Sequence, residues 1–191
     1  MRPHRGFTLF ELIAVVAIAA LLAAFAVPSL IHLVRDHRAT AAMNGMLGRI
    51  QLARATAISL RRNVTLCPGA PGATDCGKRD TWHDGSLLFV DSNRNGRMDG
   101  SDYLVRGFPP LRNGERFRWR SFRNKKSLTL RPSGLTDWQN GHLQYCPPAN
   151  DARLARQAII NAQARVRSAR DSDGDGIRED ARGRPLRCPM L

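Results

Sequence analysis

Between Leu12 and Pro28 the chain carries no charged residue, and from Phe7 to Val34 only Thr8, Glu11, Pro28, Ser29 and His32 interrupt the apolar side chains. A helix of about 20 residues crosses a hydrocarbon core of about 30 Å. The run therefore predicts a membrane-spanning helix, and the rest of the chain must fold as a domain tethered to it. Arg2, His4 and Arg5 precede the run, which favours a cytoplasmic N-terminus. A cleaved secretory signal would also open on basic residues, but no small-residue cleavage pattern in a polar context follows here. Within the run, Glu11 marks itself as a functional candidate, because a lone carboxylate at membrane depth is costly unless paired or neutralised. Pro28 removes one backbone donor.

Beyond the membrane the helical spacing continues, with Leu30, Val34, Met46, Ile50, Ala53, Ala57 and Leu60 recurring through Arg62. One face of this helix can pack on a sheet, and Gly45 and Gly48 weaken it slightly. After Arg61-Arg62-Asn63 the pattern changes to short β-type runs: Val64 to Cys67, Ser86 to Asp91, Tyr103 to Arg106, Arg116 to Phe122, Ser127 to Leu130, His142 to Cys146, Gln157 to Ile160 and Ala164 to Ser168. Gly, Pro, Asn and Asp clusters separate them. A long helix followed by antiparallel strands is an α+β arrangement with the helix against a sheet. At 191 residues there is room for about one such domain.

All four cysteines, Cys67, Cys76, Cys146 and Cys188, lie beyond the apolar run, and an even number in an exported domain reads as two disulfides formed in an oxidising compartment. A bridge between Cys67 and Cys76 would close the Pro68-Gly69-Ala70-Pro71-Gly72 loop and leave Cys146 for Cys188, although four cysteines admit three connectivities. Zinc ligation lacks C-x-x-C pairs and neighbouring histidines. Two loops, Asp91 to Asp99 with Asp102 beyond it, and Asp171-Ser172-Asp173-Gly174-Asp175-Gly176, space their oxygens as calcium loops do. Asx-rich turns explain the same residues, and no metal or other cofactor is assigned. No Ser/His/Asp or Cys/His set has catalytic spacing, His83-Asp84 reads as a turn, and an enzyme is not expected.

The segment Gly6-Phe7-Thr8-Leu9-Phe10-Glu11-Leu12 resembles the type IV prepilin cleavage and methylation site. The resemblance implies removal of residues 1–6 by a prepilin peptidase, N-methylation of Phe7, and pairing of Glu11 with the amino terminus of a neighbouring subunit in a filament. It also places Pro28 where pilin helices are often kinked or melted. Ala55-Thr56-Ala57, Arg62-Asn63-Val64, Trp82 to Gly85 and Leu88-Phe89-Val90-Asp91-Ser92-Asn93 extend the likeness, and the chain is similar to the FimT/GspH family of minor pilins and pseudopilins. The implied plan is a type IV pilin-like fold with a leader at 1–6, a transmembrane and filament-core helix at 7–34, a periplasmic half-helix at 35–62 and a β-rich periplasmic domain at 63–191. Such a protein would insert in the inner membrane and join other pilins in a pilus, or in the pseudopilus of a type II secretion system.

Charge separates these branches. The 30 Lys+Arg against 16 Asp+Glu leave a net charge of +14, a field that attracts polyanions. The basic residues gather in two places. One holds Arg112, Arg116, Arg118, Arg120, Arg123, Lys125 and Lys126; the other holds Arg165, Arg167, Arg170, Arg178, Arg182, Arg184 and Arg187. Residues two apart share a strand face, so Arg116, Arg118 and Arg120 project together, as do Arg165 and Arg167. Such rows can follow a phosphate backbone, while a solvated basic face is the alternative. The FimT branch implies DNA capture for natural transformation through a C-terminal Gly-Arg-x-Arg motif. Ala164-Arg165-Val166-Arg167 keeps both arginines of that motif, and Gly183-Arg184-Pro185-Leu186-Arg187 is a second candidate. Phe117, Trp119 and Phe122 alternate with the central arginines. As half-buried strand aromatics they are read as core, the alternative being a stacking platform for single-stranded bases.

Overall fold

The computed structural model describes residues 8–188; Gly6 and Phe7 of the processing site lie outside them. A single helix, α1, runs Leu9–Leu60 and continues through Pro28. A capping box starts it: the Thr8 N–H donates to Glu11 Oε2 at 2.9 Å and the Glu11 N–H to Thr8 Oγ1 at 3.3 Å. It ends where Arg61 turns left-handed at φ 51°. There the Arg62 and Arg61 N–H groups close back on the carbonyls of Ala57 and Ile58, the bond pattern of a Schellman stop.

The chain forms two compact units, residues 1–38 and 39–191. In the first, residues 9–38 are helical, none of the described residues is buried, and large apolar side chains such as Leu9, Phe10, Leu22 and Phe25 are exposed. An apolar surface of that length suits lipid or the packed core of a filament. The second unit holds every buried residue among those described. Its helical part buries Ala39, Met43, Met46, Ile50, Ala53 and Ala57, alternating steps of four and three that keep one stripe on the core. Leu60, expected on that stripe, is the last residue of the helix and is 43% exposed.

Eight strands follow: β1 Val64–Pro68, β2 Ser86–Val90, β3 Tyr103–Phe108, β4 Arg116–Ser121, β5 Leu128–Leu130, β6 Gly141–Cys146, β7 Arg156–Ile160 and β8 Val166–Ser168. They divide into two antiparallel four-stranded sheets, ordered β3-β2-β1-β5 and β4-β6-β7-β8, where the sequence pattern suggested one. Leu66, Leu88, Val90 and Leu130 of the first sheet share a core with the α1 stripe and with Phe117, Trp119, Leu143, Tyr145 and Ile160 of the second. β1 and β2 are buried on both faces. Leu87 and Phe89 turn away from the main core and pack with Cys67, Cys76, Ala73 and Met98. The Cys67–Cys76 disulfide thus closes a lid over the back of the first sheet.

In the second sheet the edge strand β4 buries only one face, and strict alternation results there: Phe117 and Trp119 point inward, each 2% exposed, while Arg116, Arg118 and Arg120 point outward. Gly141 makes the close β4–β6 pairing possible, since a Cβ there would stand 2.1 Å from the Arg120 carbonyl oxygen. After β8 the chain doubles back. Leu186 packs with Ala155 and Ala169, the Glu179 N–H bonds the Arg170 carbonyl at 2.9 Å, and a second disulfide joins Cys146 to Cys188.

Candidate nucleic-acid interface

The outer face of the second sheet is built by ladder register. Arg120 lies opposite His142, His142 opposite Ile159, and Ile159 opposite Arg167. One rung thus carries arginines on β4 and β8, which are about 14 Å apart at the usual strand spacing. The next rung pairs Arg118 with Gln144 and Gln144 with Gln157. The Gln157 amide donates to Gln144 Oε1 at 3.3 Å, and the Gln144 amide donates to the Arg187 carbonyl at 2.8 Å. The second of these bonds and the Cys146–Cys188 bridge hold the C-terminal segment against the sheet.

Between sheet and segment lies a cleft of about 480 Å³, lined by Arg118, Arg120, His142, Gln144 and Gln157 on one side and by Asp180 and Arg184 to Arg187 on the other. The fold therefore brings members of both basic clusters, more than sixty residues apart in sequence, to the same cavity. The arginine row of β4 also borders a second cleft of about 630 Å³, whose far wall holds Arg79, Asp80 and His83. His83 itself stands in a short 3₁₀ turn, its Nε2 3.7 Å from Asp84.

Neither Arg118 nor Arg120 has an acidic partner among the described residues. Burial, then repulsion from Arg120 and Arg79, lowers the Arg118 pKa from its usual value. Burial, then Arg120, likewise pushes His142 below the ordinary imidazole value, with Asp180 pulling the other way. Burial works against ionised Asp180, but Arg184 and the backbone N–H groups of Arg182 and Arg184 hold its pKa down to about 2. Arg184 is gripped in return, its Nε and terminal nitrogen lying 3.1 and 2.8 Å from Asp180 Oδ2. A surplus of positive charge beside a partly enclosed cleft concentrates anions.

Other basic residues go elsewhere. Arg165 stands in the turn before β8 rather than within it, because Ala164 takes φ 56° and its N–H bonds the Asn161 carbonyl. That left-handed position is one glycine adopts without strain, which accounts physically for the glycine of the Gly-Arg-x-Arg pattern. Gly183, at φ 73°, occupies the equivalent place before Arg184. Arg170 and Arg182 are exposed, and Lys126 donates to the Cys76 carbonyl at 3.1 Å. Phe117 and Trp119 are core; Phe122 is 53% exposed. His142, Gln144, Gln157 and Asp180 were not singled out from sequence, although the polar residues alternating with Leu143 and Tyr145 already mark an outward face.

The acidic loops divide. Asp91 is wholly buried and accepts from Thr65 Oγ1 at 2.7 Å and from the N–H groups of Asn95 and Gly96. Asp99 closes an Asx turn on the Ser101 N–H, and Asp102 accepts from the N–H groups of Ser92 and Asp99. The first loop thus spends its carboxylates on its own backbone and neighbouring side chains. Asp171, Asp173, Asp175 and Glu179 also accept N–H groups of their own loop, but in addition bring one oxygen each within 4.8 Å of one another, a set of hard donors with the chemistry to hold a cation such as calcium.

Comparison with known proteins gives a consistent result. The family of the type II transport protein GspH matches residues 42–164, and the prokaryotic N-terminal methylation motif matches residues 1–27. None of the curated proteins compared matches significantly. Among solved structures, the type IV minor pilin FimU of Pseudomonas aeruginosa has a similar fold in two crystal forms, each 16% identical. One superposes with a TM-score of 0.53 over 78% of this chain and 94% of FimU; the other with 0.50 over 69% and 92%. The GspH match ends at Ala164, so β8 and the segment carrying Arg184 and Arg187 lie beyond it. The chain belongs to the GspH family, as a minor pilin or pseudopilin that is anchored by its N-terminal helix and acts with other pilins in filament assembly.

Proposed function

We propose that this minor pilin binds DNA on the outer face of its second sheet and thereby serves DNA uptake by a type IV pilus. The observation that carries the reading is the cleft where Arg118 and Arg120 face Arg184 and Arg187; Arg116 and Arg167 extend its positive surface along and across the sheet. Phosphate contact needs only cations at suitable spacing and gives affinity without sequence preference. The inward direction of Phe117 and Trp119 leaves Phe122 as the one exposed ring of the three, short of the row of aromatics that single-strand binders use, so duplex DNA, with its denser charge, is the better ligand. On this reading a prepilin peptidase cuts after Gly6, Phe7 is methylated, and Glu11 pairs with a neighbouring subunit. The helix of residues 7–34 spans the inner membrane before assembly, with residues 35–191 in the periplasm.

The test is made in cells that build the filament, with Arg118→Glu/Arg120→Glu replacing the native residues. DNA capture should be lost while filament number is unchanged. Capture that survives the change would leave filament assembly as the protein's role, and loss of filaments and capture together would point the same way.

A further inference from the structure

His142 occupies the floor of the cleft and is half-buried there. Its charged surroundings come from three directions. β4 presents Arg118 and Arg120. The C-terminal segment presents Asp180, Arg182, Arg184 and Arg187. On the remaining side β7 offers only the uncharged Ile159 and Gln157, with Arg167 of β8 one strand further. Asp180, the single carboxylate among these groups, is already engaged by Arg184. An imidazole in such a place meets two opponents of its charged form, partial desolvation and a surplus of neighbouring cations. Both the burial and the arginines act in that direction on His142.

A polyanion in the cleft reverses the balance. Phosphates neutralise the arginines, replace lost solvation with charge-assisted acceptors, and offer the imidazolium a hydrogen-bond partner. Resting on the DNA reading above, we propose that His142 is a proton-coupled contact of the cleft: uncharged while the cleft is empty, it takes one proton from solvent as a phosphate backbone enters and donates a hydrogen bond to it. Filling and protonation then favour each other by linkage, and the filament holds DNA more tightly in acidic surroundings than in alkaline ones. A histidine does this where a further arginine would not, because the charge appears only when there is an anion to meet it.

The experiment uses the full chain in neutral detergent and a 20-base-pair duplex, with affinity measured from pH 5.5 to 8 at fixed ionic strength. Affinity should rise by about tenfold towards the acid end, the scale expected for one linked proton over about one pH unit. His142→Gln should flatten the profile, whereas His37→Gln, at a histidine that is not among the residues lining the cleft, should keep it. Because a half-buried substitution can disturb the sheet, the wild-type imidazole is also titrated by NMR with and without duplex; its midpoint should move upward on binding. A flat wild-type profile with salt-dependent binding intact, an unchanged profile in His142→Gln, or an unmoved midpoint would each overturn the coupling and leave the DNA reading standing. Absence of binding at low salt at every pH would overturn both.

Discussion

Replacing Cys146 and Cys188 by alanine tests how the cleft is held together. The bridge joins residues 42 positions apart, a loop that takes in β7, β8 and the whole C-terminal segment. Closing a loop of that length lowers the entropy of the unfolded chain by about 13 cal/mol/K, or about 4 kcal/mol at 25 °C. Against the roughly 5–15 kcal/mol that stabilises a domain of this kind, such a loss is large. Urea unfolding of residues 35–191, which contain the buried side chains of the described residues, should therefore show the double variant destabilised by about 4 kcal/mol. The structure adds a second readout. Without the bridge, the segment bearing Arg184 and Arg187 is held by the Gln144–Arg187 hydrogen bond, the neighbouring backbone bonds and the small Leu186 cluster. The variant should then neutralise fewer phosphates along that wall, and its salt slope for DNA should flatten by about 0.9 for each phosphate left unpaired. A loss of stability under about 1 kcal/mol, far short of the loop-closure figure, would refute the reasoning.

Three further outcomes follow from the fold. Asp91→Ala removes a buried carboxylate that accepts from the Thr65 hydroxyl and from the partly buried N–H groups of the Asn95–Gly96 turn and should cost about 2 kcal/mol in chemical denaturation; a near-neutral effect would mean the first acidic loop is not held by that carboxylate. Arg61→Gly removes a side chain from the left-handed helix stop and should stabilise by about 1 kcal/mol, with a raised melting temperature as the check. Asp180 is held at about 2, so its ionised form favours the folded state. That contribution is present above the ordinary carboxylate range and is lost as pH falls from about 4 towards about 2. The melting-temperature advantage of the wild type over Asp180→Asn should accordingly be present at pH 6 and absent near pH 2; an advantage that persists in acid would contradict it.

Much of this architecture can be read from local pattern. The uncharged run to Pro28, the helical stripe through Met46, Ile50 and Ala53, and the eight β-type runs all appear in the sequence because each depends on side chains a few positions apart. The outward row of Arg116, Arg118 and Arg120 is equally local, being a matter of strand alternation. What cannot be read is pairing at long range. β1 takes β5 as a neighbour and β4 takes β6, and this division into two sheets brings Arg118 opposite Arg187 across the cleft and His142 between Arg120 and Ile159. Ala164 illustrates a smaller limit. An alanine carries no turn signal, yet here it adopts φ 56° and moves Arg165 out of the strand.

DNA binding by the cleft is tested most directly by titrating residues 35–191, disulfides intact, into duplex DNA across a range of salt concentrations, beside Arg118→Glu/Arg120→Glu. If Arg116, Arg118, Arg120, Arg167 and Arg187 each neutralise one phosphate, the logarithm of affinity falls with the logarithm of salt at a slope of about −4.5, and the charge-reversed protein does not bind. Affinity indifferent to salt, or equal in the two proteins, would contradict a phosphate-binding cleft on this face.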